Sequence, residues 1–247
     1  MNGKKVGGDV SPKIYLWIED RKGKASYIFW EVLMQKLCPK VIVESKKNNS
    51  ELVKAVKALK DKENQYIIVF DNSFDNLQVY REQKELKKCI DTKDNVRLMN
   101  IICFEYILLE FDKLIDWIYA QDDELLIKRA GAIHARKMLV STIQSGELNY
   151  KMIQEVVAYD DKLADHNIEQ LSTKLLYDLT RNTGFEVSKG LIGDCWIKSC
   201  CDWFKRQEND ICGLDYDRLS IVDKMKSIYV GTSLVKEFEK VGLEVVW

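Results

Sequence analysis

Short β-branched runs alternate with amphipathic stretches four times between residues 13 and 120, and this alternation constrains the fold more than any other feature. The segments "KIYLWIE" (13–19), "KVIVES" (40–45), "QYIIVFD" (65–71) and "NVRLMNII" (95–102) read as strands. Each is short, rich in Val, Ile or aromatic residues, and bounded by charge. Between them, "KASYIFWEVLMQKL" (24–37), "SELVKAVKALKD" (50–61) and "NLQVYREQKELKKCI" (76–90) carry apolar residues at helical spacing, with Ser50 placed to cap the second helix. "CFEYILLEFDKLIDWIYA" (103–120) reads as one long apolar-striped helix. Parallel strands need crossover connections of about this length. The pattern therefore predicts an α/β fold: a Rossmann-like, mainly parallel sheet of about four strands with helices on both faces.

Beyond residue 120 the texture changes. Residues 124–146 and 149–182 show helical periodicity and no convincing strand, and 185–247 are mixed, with clustered Cys and Trp. The expected organisation is an α/β domain over 1–112, opening with a flexible lead-in at 1–12, followed by a mostly helical C-terminal domain over 113–247.

Net charge is −1, so no global electrostatic bias draws the chain to nucleic acid. Such a ligand would need a local basic patch or a bound cation. The N-terminal "MNGKKVGGDVSPK" lacks the apolar segment of a signal peptide, and no run approaches the ~18 apolar residues of a membrane span. Seven cysteines without an export signal read as free thiols in a reducing cytoplasm. No G-x-x-x-x-G-K-[ST] is present, so the chain is not a self-contained P-loop NTPase.

Functional groups of open parallel sheets collect at the carboxyl ends of the strands. Glu19 ends the first predicted strand and Asp71 the third. Two carboxylates brought together there, with a further acid, could hold magnesium through a few oxygen ligands and retained waters. Equally, a strand can run into an ordinary acidic turn, with Asp75 capping the helix that begins near Asn76. Glu105 is either a further acid of the site or a first-turn acid complementing its helix dipole. Arg21, Lys22 and Lys24 could meet the phosphates of a nucleic acid, or form a solvated loop.

"YLWIEDRKGKASYIFWEVL", "YIIVFDNSFDN" and "NIICFEYILLEF" together resemble the Toprim fold, in particular the RloB-like and OLD-nuclease-like branch of bacterial anti-phage proteins. The resemblance covers residues 13–112. It rests on a first strand ending in Glu19, a third ending in a D-x-D-type motif that begins at Asp71, and the segment Cys103, Phe104, Glu105 entering a Leu-rich helix. It implies a Mg²⁺- or Mn²⁺-dependent nuclease that hydrolyses phosphodiester bonds in DNA or RNA, with an ATPase partner that gates it. Glu19 would be a ligand or general acid/base, Asp71 and Asp75 would hold metal, and Glu105 would add a ligand or orient water. The sequence departs from that pattern where Asp20 stands in place of the usual Gly and Ser73 in place of the second Asp. The alternative is a catalytically degenerate module of the same fold, serving as sensor or scaffold in a defence complex. Whether Asp75 points into the Glu19–Asp71 cleft separates the two. A flavodoxin-like or receiver-like domain also fits the alternation, but leaves the Cys-Phe-Glu segment without a role.

The remaining chemistry lies in Cys195, Cys200, Cys201 and Cys212. Their spacing, C-x4-C-C-x10-C, has an adjacent pair and no second matched pair. Zinc prefers two closely spaced pairs. The expectation is reduced, mostly buried thiols without zinc.

Overall fold

The computed structural model describes residues 11–72, 75–146, 165–188, 190–202 and 212–246. Four strands, β1 (Ile14–Ile18), β2 (Val41–Ser45), β3 (Gln65–Asp71) and β4 (Val96–Ile101), form an all-parallel sheet in the order β2-β1-β3-β4. Helices α1 (Ala25–Leu37), α2 (Asn49–Ala58) and α3 (Leu77–Ile90) make the crossovers. The first strand thus lies between the second and third, with Ile14 paired to Gln65 and Ile18 to Val69 on one side, and Ile18 to Ser45 on the other.

Strand alternation divides the apolar residues between two faces. Leu16, Ile18, Ile67, Val69, Met99 and Ile101 face a core shared with α1. Trp17, Tyr66, Ile68, Phe70 and Val96 face α2 and α3 through Leu52, Val53, Val56, Val79 and Leu86. Burial on both faces explains why β3 reads as a continuous apolar run rather than an alternating one.

Two caps differ from the sequence expectation. The side chain of Asn48, rather than Ser50, accepts from the amide of Glu51 at 2.9 Å and starts α2. Ser50 lies inside the first turn and donates to Glu82 at 2.8 Å. At α3 the cap is Asn76, which accepts from the amides of Gln78 and Val79. Both positions use an Asn oxygen to satisfy amides that have no partner within the helix.

The long helix expected over 103–120 is two: α4 (Phe104–Glu110) and α5 (Leu114–Ile118). The backbone leaves the helix at Phe111. Arg136 compensates, donating Nε to the carbonyl of Leu109 at 2.7 Å and its terminal nitrogen to that of Phe111 at 2.6 Å. Such a break is invisible to periodicity, because Leu114, Trp117 and Ile118 resume burial after it.

Helices α6 (Glu124–Lys128), α7 (Ala130–Gln144) and α8 (Ile168–Thr180) follow. The expected helical pattern of 149–164 lies outside the described residues. A small antiparallel ladder, β5 (Val187–Ser188) with β6 (Leu191–Ile192), precedes α9 (Asp194–Ile197), α10 (Ile221–Val230) and α11 (Leu234–Val241). The C-terminal elements pack onto the sheet's α1 face, so that one apolar core runs from Leu16 to Leu243. Helix α8 packs on α4 and α7, α10 packs on α1, and α11 packs along β4. No helix among the described residues is long and apolar enough to cross a membrane.

Candidate functional site: a carboxylate cluster at the sheet's carboxyl edge

Glu19 leaves the end of β1, and Asp71 is the last residue of the adjacent β3. Their carboxyl groups lie within reach of each other and strongly perturb one another. Two ionised carboxylates so placed repel, which favours the protonated form of one of them. Both pKa values lie above the carboxylate range. Desolvation is the first cause for each. Each acid's negative charge makes ionisation of the other less favourable, so the two titrate as a pair.

Two further acids converge on the pair. Glu105 is in the first turn of α4, and Glu169 in the first turn of α8. Both raise Glu19 and Asp71 by charge repulsion. Burial, followed by the charges of Glu169 and Asp20, pushes Glu105 itself up to about 7. The groups acting most strongly on this cluster are other acids. First-turn placement offsets part of the repulsion, because helix N-termini favour negative charge.

Cys103, the N-cap residue of α4, is fully buried behind these acids. Burial raises its thiol pKa far above the ordinary value, and Glu105 and Asp71 raise it further. The thiol lies close enough to Glu105 to lower that residue's pKa slightly against the larger effect of burial. A thiol held protonated is a poor nucleophile.

Asp75 has a backbone partner at the start of α8. Its Oδ2 accepts the backbone amide of Ile168 at 2.9 Å, at the start of α8. That amide is one of the orphan donors of the helix N-terminus. Asn167 and Gln170 complete the end with a reciprocal capping box. Asp75 therefore anchors the helix that presents Glu169 through one of its two carboxylate oxygens. Ser73 lies outside the described residues. Sequence reasoning missed Glu169, which is distant in the chain and reaches the site only through packing of α8 on α4.

The donor set is oxygen-only and strongly acidic, which fits a hard divalent cation such as Mg²⁺ or Mn²⁺. Among the described residues, no three His, Cys, Asp or Glu side chains form a ready-made metal cage. Magnesium sites commonly use one or two carboxylates completed by waters and substrate phosphates, so the Glu19–Asp71 pair meets that requirement.

The basic loop beyond Glu19 is exposed and turns back at Gly23, whose φ of 85° suits glycine. Its three cations separate. Arg21 and Lys22 line a hollow with Ser45 and Lys47, whereas Lys24 leads into α1, where its charge offsets part of the rise that burial imposes on the pKa of Asp20.

Cys38, Cys89, Cys103, Cys195 and Cys200 are free thiols. Cys200 is half-buried, and its sulfur accepts the amide of Leu219 at 3.3 Å. Cys195, Cys201 and Cys212 line one cavity of about 600 Å³, with Cys201 exposed and the other two half-buried. The expectation that these thiols are mostly buried is thus corrected. The segment packs through its aromatic residue instead: Trp196 is fully buried and donates to the carbonyl of Phe185 at 2.6 Å.

Comparisons of the chain with protein-family models, curated proteins and solved structures find no match in any of the three.

Proposed function

We propose that the chain is a metal-dependent nuclease of Toprim type that hydrolyses phosphodiester bonds. The observation that carries this reading is the closeness of Glu19 and Asp71 at the carboxyl edge of adjacent parallel strands, within reach of the charges of Glu105 and Glu169. Glu19 and Asp71 would hold Mg²⁺ or Mn²⁺. Glu105, with a pKa of about 7, is suited to exchange a proton with an attacking water or a leaving oxygen near neutral pH. Glu169 adds the negative charge that the altered D-x-D motif lacks. The cation would supply charge neutralisation at the phosphate and a more acidic bound water. The resemblance over residues 13–112 supports the Toprim assignment, a cytoplasmic role in bacterial phage defence and an ATPase partner. The helical C-terminal half would then be a second domain on the nuclease core.

The test is cleavage of single- and double-stranded DNA and RNA with Mg²⁺ or Mn²⁺. Wild type should cleave at least one substrate and Asp71→Ala none. Cleavage that survives Asp71→Ala would end this reading.

One observation favours a second reading. Asp75 binds the amide of Ile168, so one oxygen of the acid that would replace the second Asp of the motif is engaged by a helix end. The protein would then be a degenerate module, a sensor or scaffold of a defence complex. Wild type inert on all four substrates with both metals, its natural partner included, would select this alternative.

A further inference from the structure

We infer that the hollow formed by Arg21, Lys22, Ser45 and Lys47 seats a phosphate group of a nucleic-acid strand beside the acid cluster; this rests on, and deepens, the nuclease reading. The hollow has a volume of about 530 Å³, and its lining includes three cations and no acid. It lies where β1 and β2 end together. Ile18 pairs with Ser45, and the amide of Lys46 donates to the carbonyl of Ile18 at 2.7 Å. The loop after β1 and the turn after β2 therefore emerge side by side. Arg21 and Lys22 come from the first, two and three residues after Glu19, and Lys47 comes from the second.

The cations of this region are not equivalent. Lys46 is occupied, bound to Glu44 at 2.9 Å with its ammonium 3.8 Å from the centre of the Trp17 ring. Lys24 acts on Asp20. Arg21, Lys22 and Lys47 make no ion pair among the described residues. Glu51 feels the charge of Lys47, but three cations on one concave surface still repel each other, and a phosphate would relieve that repulsion.

The backbone supplies an independent sign. Lys47 has a φ of 75°, in the left-handed region that a residue with a Cβ rarely enters. The Ser45 hydroxyl accepts the Lys47 amide at 3.3 Å and helps hold this turn. Strain of this kind persists where a side chain must be presented in a fixed direction. A glycine would relieve the strain but remove the cation.

The experiment measures binding of a fluorescent single-stranded oligonucleotide by anisotropy across a salt series. EDTA is present, so that no cleavage can occur. Wild type is compared with Arg21→Gln/Lys22→Gln/Lys47→Gln and with Lys54→Gln, an exposed control that pairs with Glu51 on α2. Each phosphate contact contributes roughly 0.7 to the slope of log affinity against log salt for a single strand. The triple variant should lose roughly 2 from that slope and at least 10-fold in affinity, with the melting temperature unchanged, while Lys54→Gln should match wild type. Oligonucleotides with and without a terminal phosphate separate the sources. A loss seen only with phosphorylated ends assigns the hollow to a terminal phosphate, and an equal loss assigns it to the backbone. A triple variant that matches Lys54→Gln overturns the inference even if wild type cleaves. Wild type that binds no oligonucleotide overturns it as well. Binding lost in the triple variant of a protein that never cleaves supports the hollow while ending the nuclease reading.

Discussion

Glu19 and Asp71 meet at the ends of two adjacent parallel strands, where burial raises both pKa values, so a cation arriving there would favour their ionised forms. Their separation in sequence is erased by the strand order, which places β3 directly beside β1. Burial and the charges of Glu105 and Glu169 keep the pair from ionising fully without a cation.

Thermal stability should therefore fall as pH rises from about 5 to 8. An acid whose pKa is higher folded than unfolded binds more protons in the folded state, so stability declines through that window. For Glu105 the window runs from the ordinary 4.5 to about 7. At about 1.4 kcal/mol per pKa unit the ceiling is roughly 3 kcal/mol, and residual solvent contact of the residue reduces it. Glu19 and Asp71 act in the same direction. Asp71→Asn should flatten the profile. A melting temperature that climbs between pH 5 and 8 would contradict the buried cluster.

Millimolar Mn²⁺ should reverse the loss. A cation bound to the folded state alone stabilises it by mass action, by about 2.7 kcal/mol at a hundredfold excess over the dissociation constant. The gain should be large at pH 8, small at pH 5 where protons compete, and absent in Glu19→Gln/Asp71→Asn. Calorimetric scans at the two pH values check this. An equal shift in the double variant would place the ion elsewhere.

The sheet was legible because its evidence is local. β3 spans residues 65–71 in both the pattern and the structure, and the other three strands differ by about a residue at their ends. The Glu19–Asp71 neighbourhood followed from where those strands stop. What remained illegible depended on tertiary contacts. The break at Phe111 is stabilised by Arg136, 25 residues away. Asp75 finds its partner 93 residues on, at Ile168. Glu169 and Lys47 have no distinguishing local pattern, and each acquires its place only once α8 packs on α4 or β2 pairs with β1.

Arg136→Ala should destabilise the fold without touching the acid cluster. Two carbonyls at the α4–α5 junction would lose their donor, and each unsatisfied buried acceptor costs about 1–3 kcal/mol. Arg136→Lys should recover part of the loss, because one ammonium cannot match the forked geometry of the guanidinium. Chemical denaturation measures both. A change below about 0.5 kcal/mol for the alanine variant would mean that water replaces the side chain freely.

Asp75 and Glu169 should separate stability from activity. Asp75→Ala removes the acceptor for the Ile168 amide, and loss of such an N-terminal contact costs about 0.5–2 kcal/mol. Asp75→Asn keeps an acceptor oxygen and should cost far less, losing mainly the charge that favours a helix N-terminus. Glu169→Gln should behave in the opposite way. It removes repulsion from a crowded acidic site, so stability should hold or rise, as at many functional sites. Its cleavage rate should nonetheless fall at least 10-fold, and higher Mn²⁺ should recover part of that loss if the carboxylate strengthens cation binding. Asp75→Ala should lose activity only to the extent that α8 shifts, so Asp75→Asn should cleave like wild type. A fully active Glu169→Gln beside an inactive, stable Asp75→Asn would return Asp75 to the metal site and remove Glu169 from it.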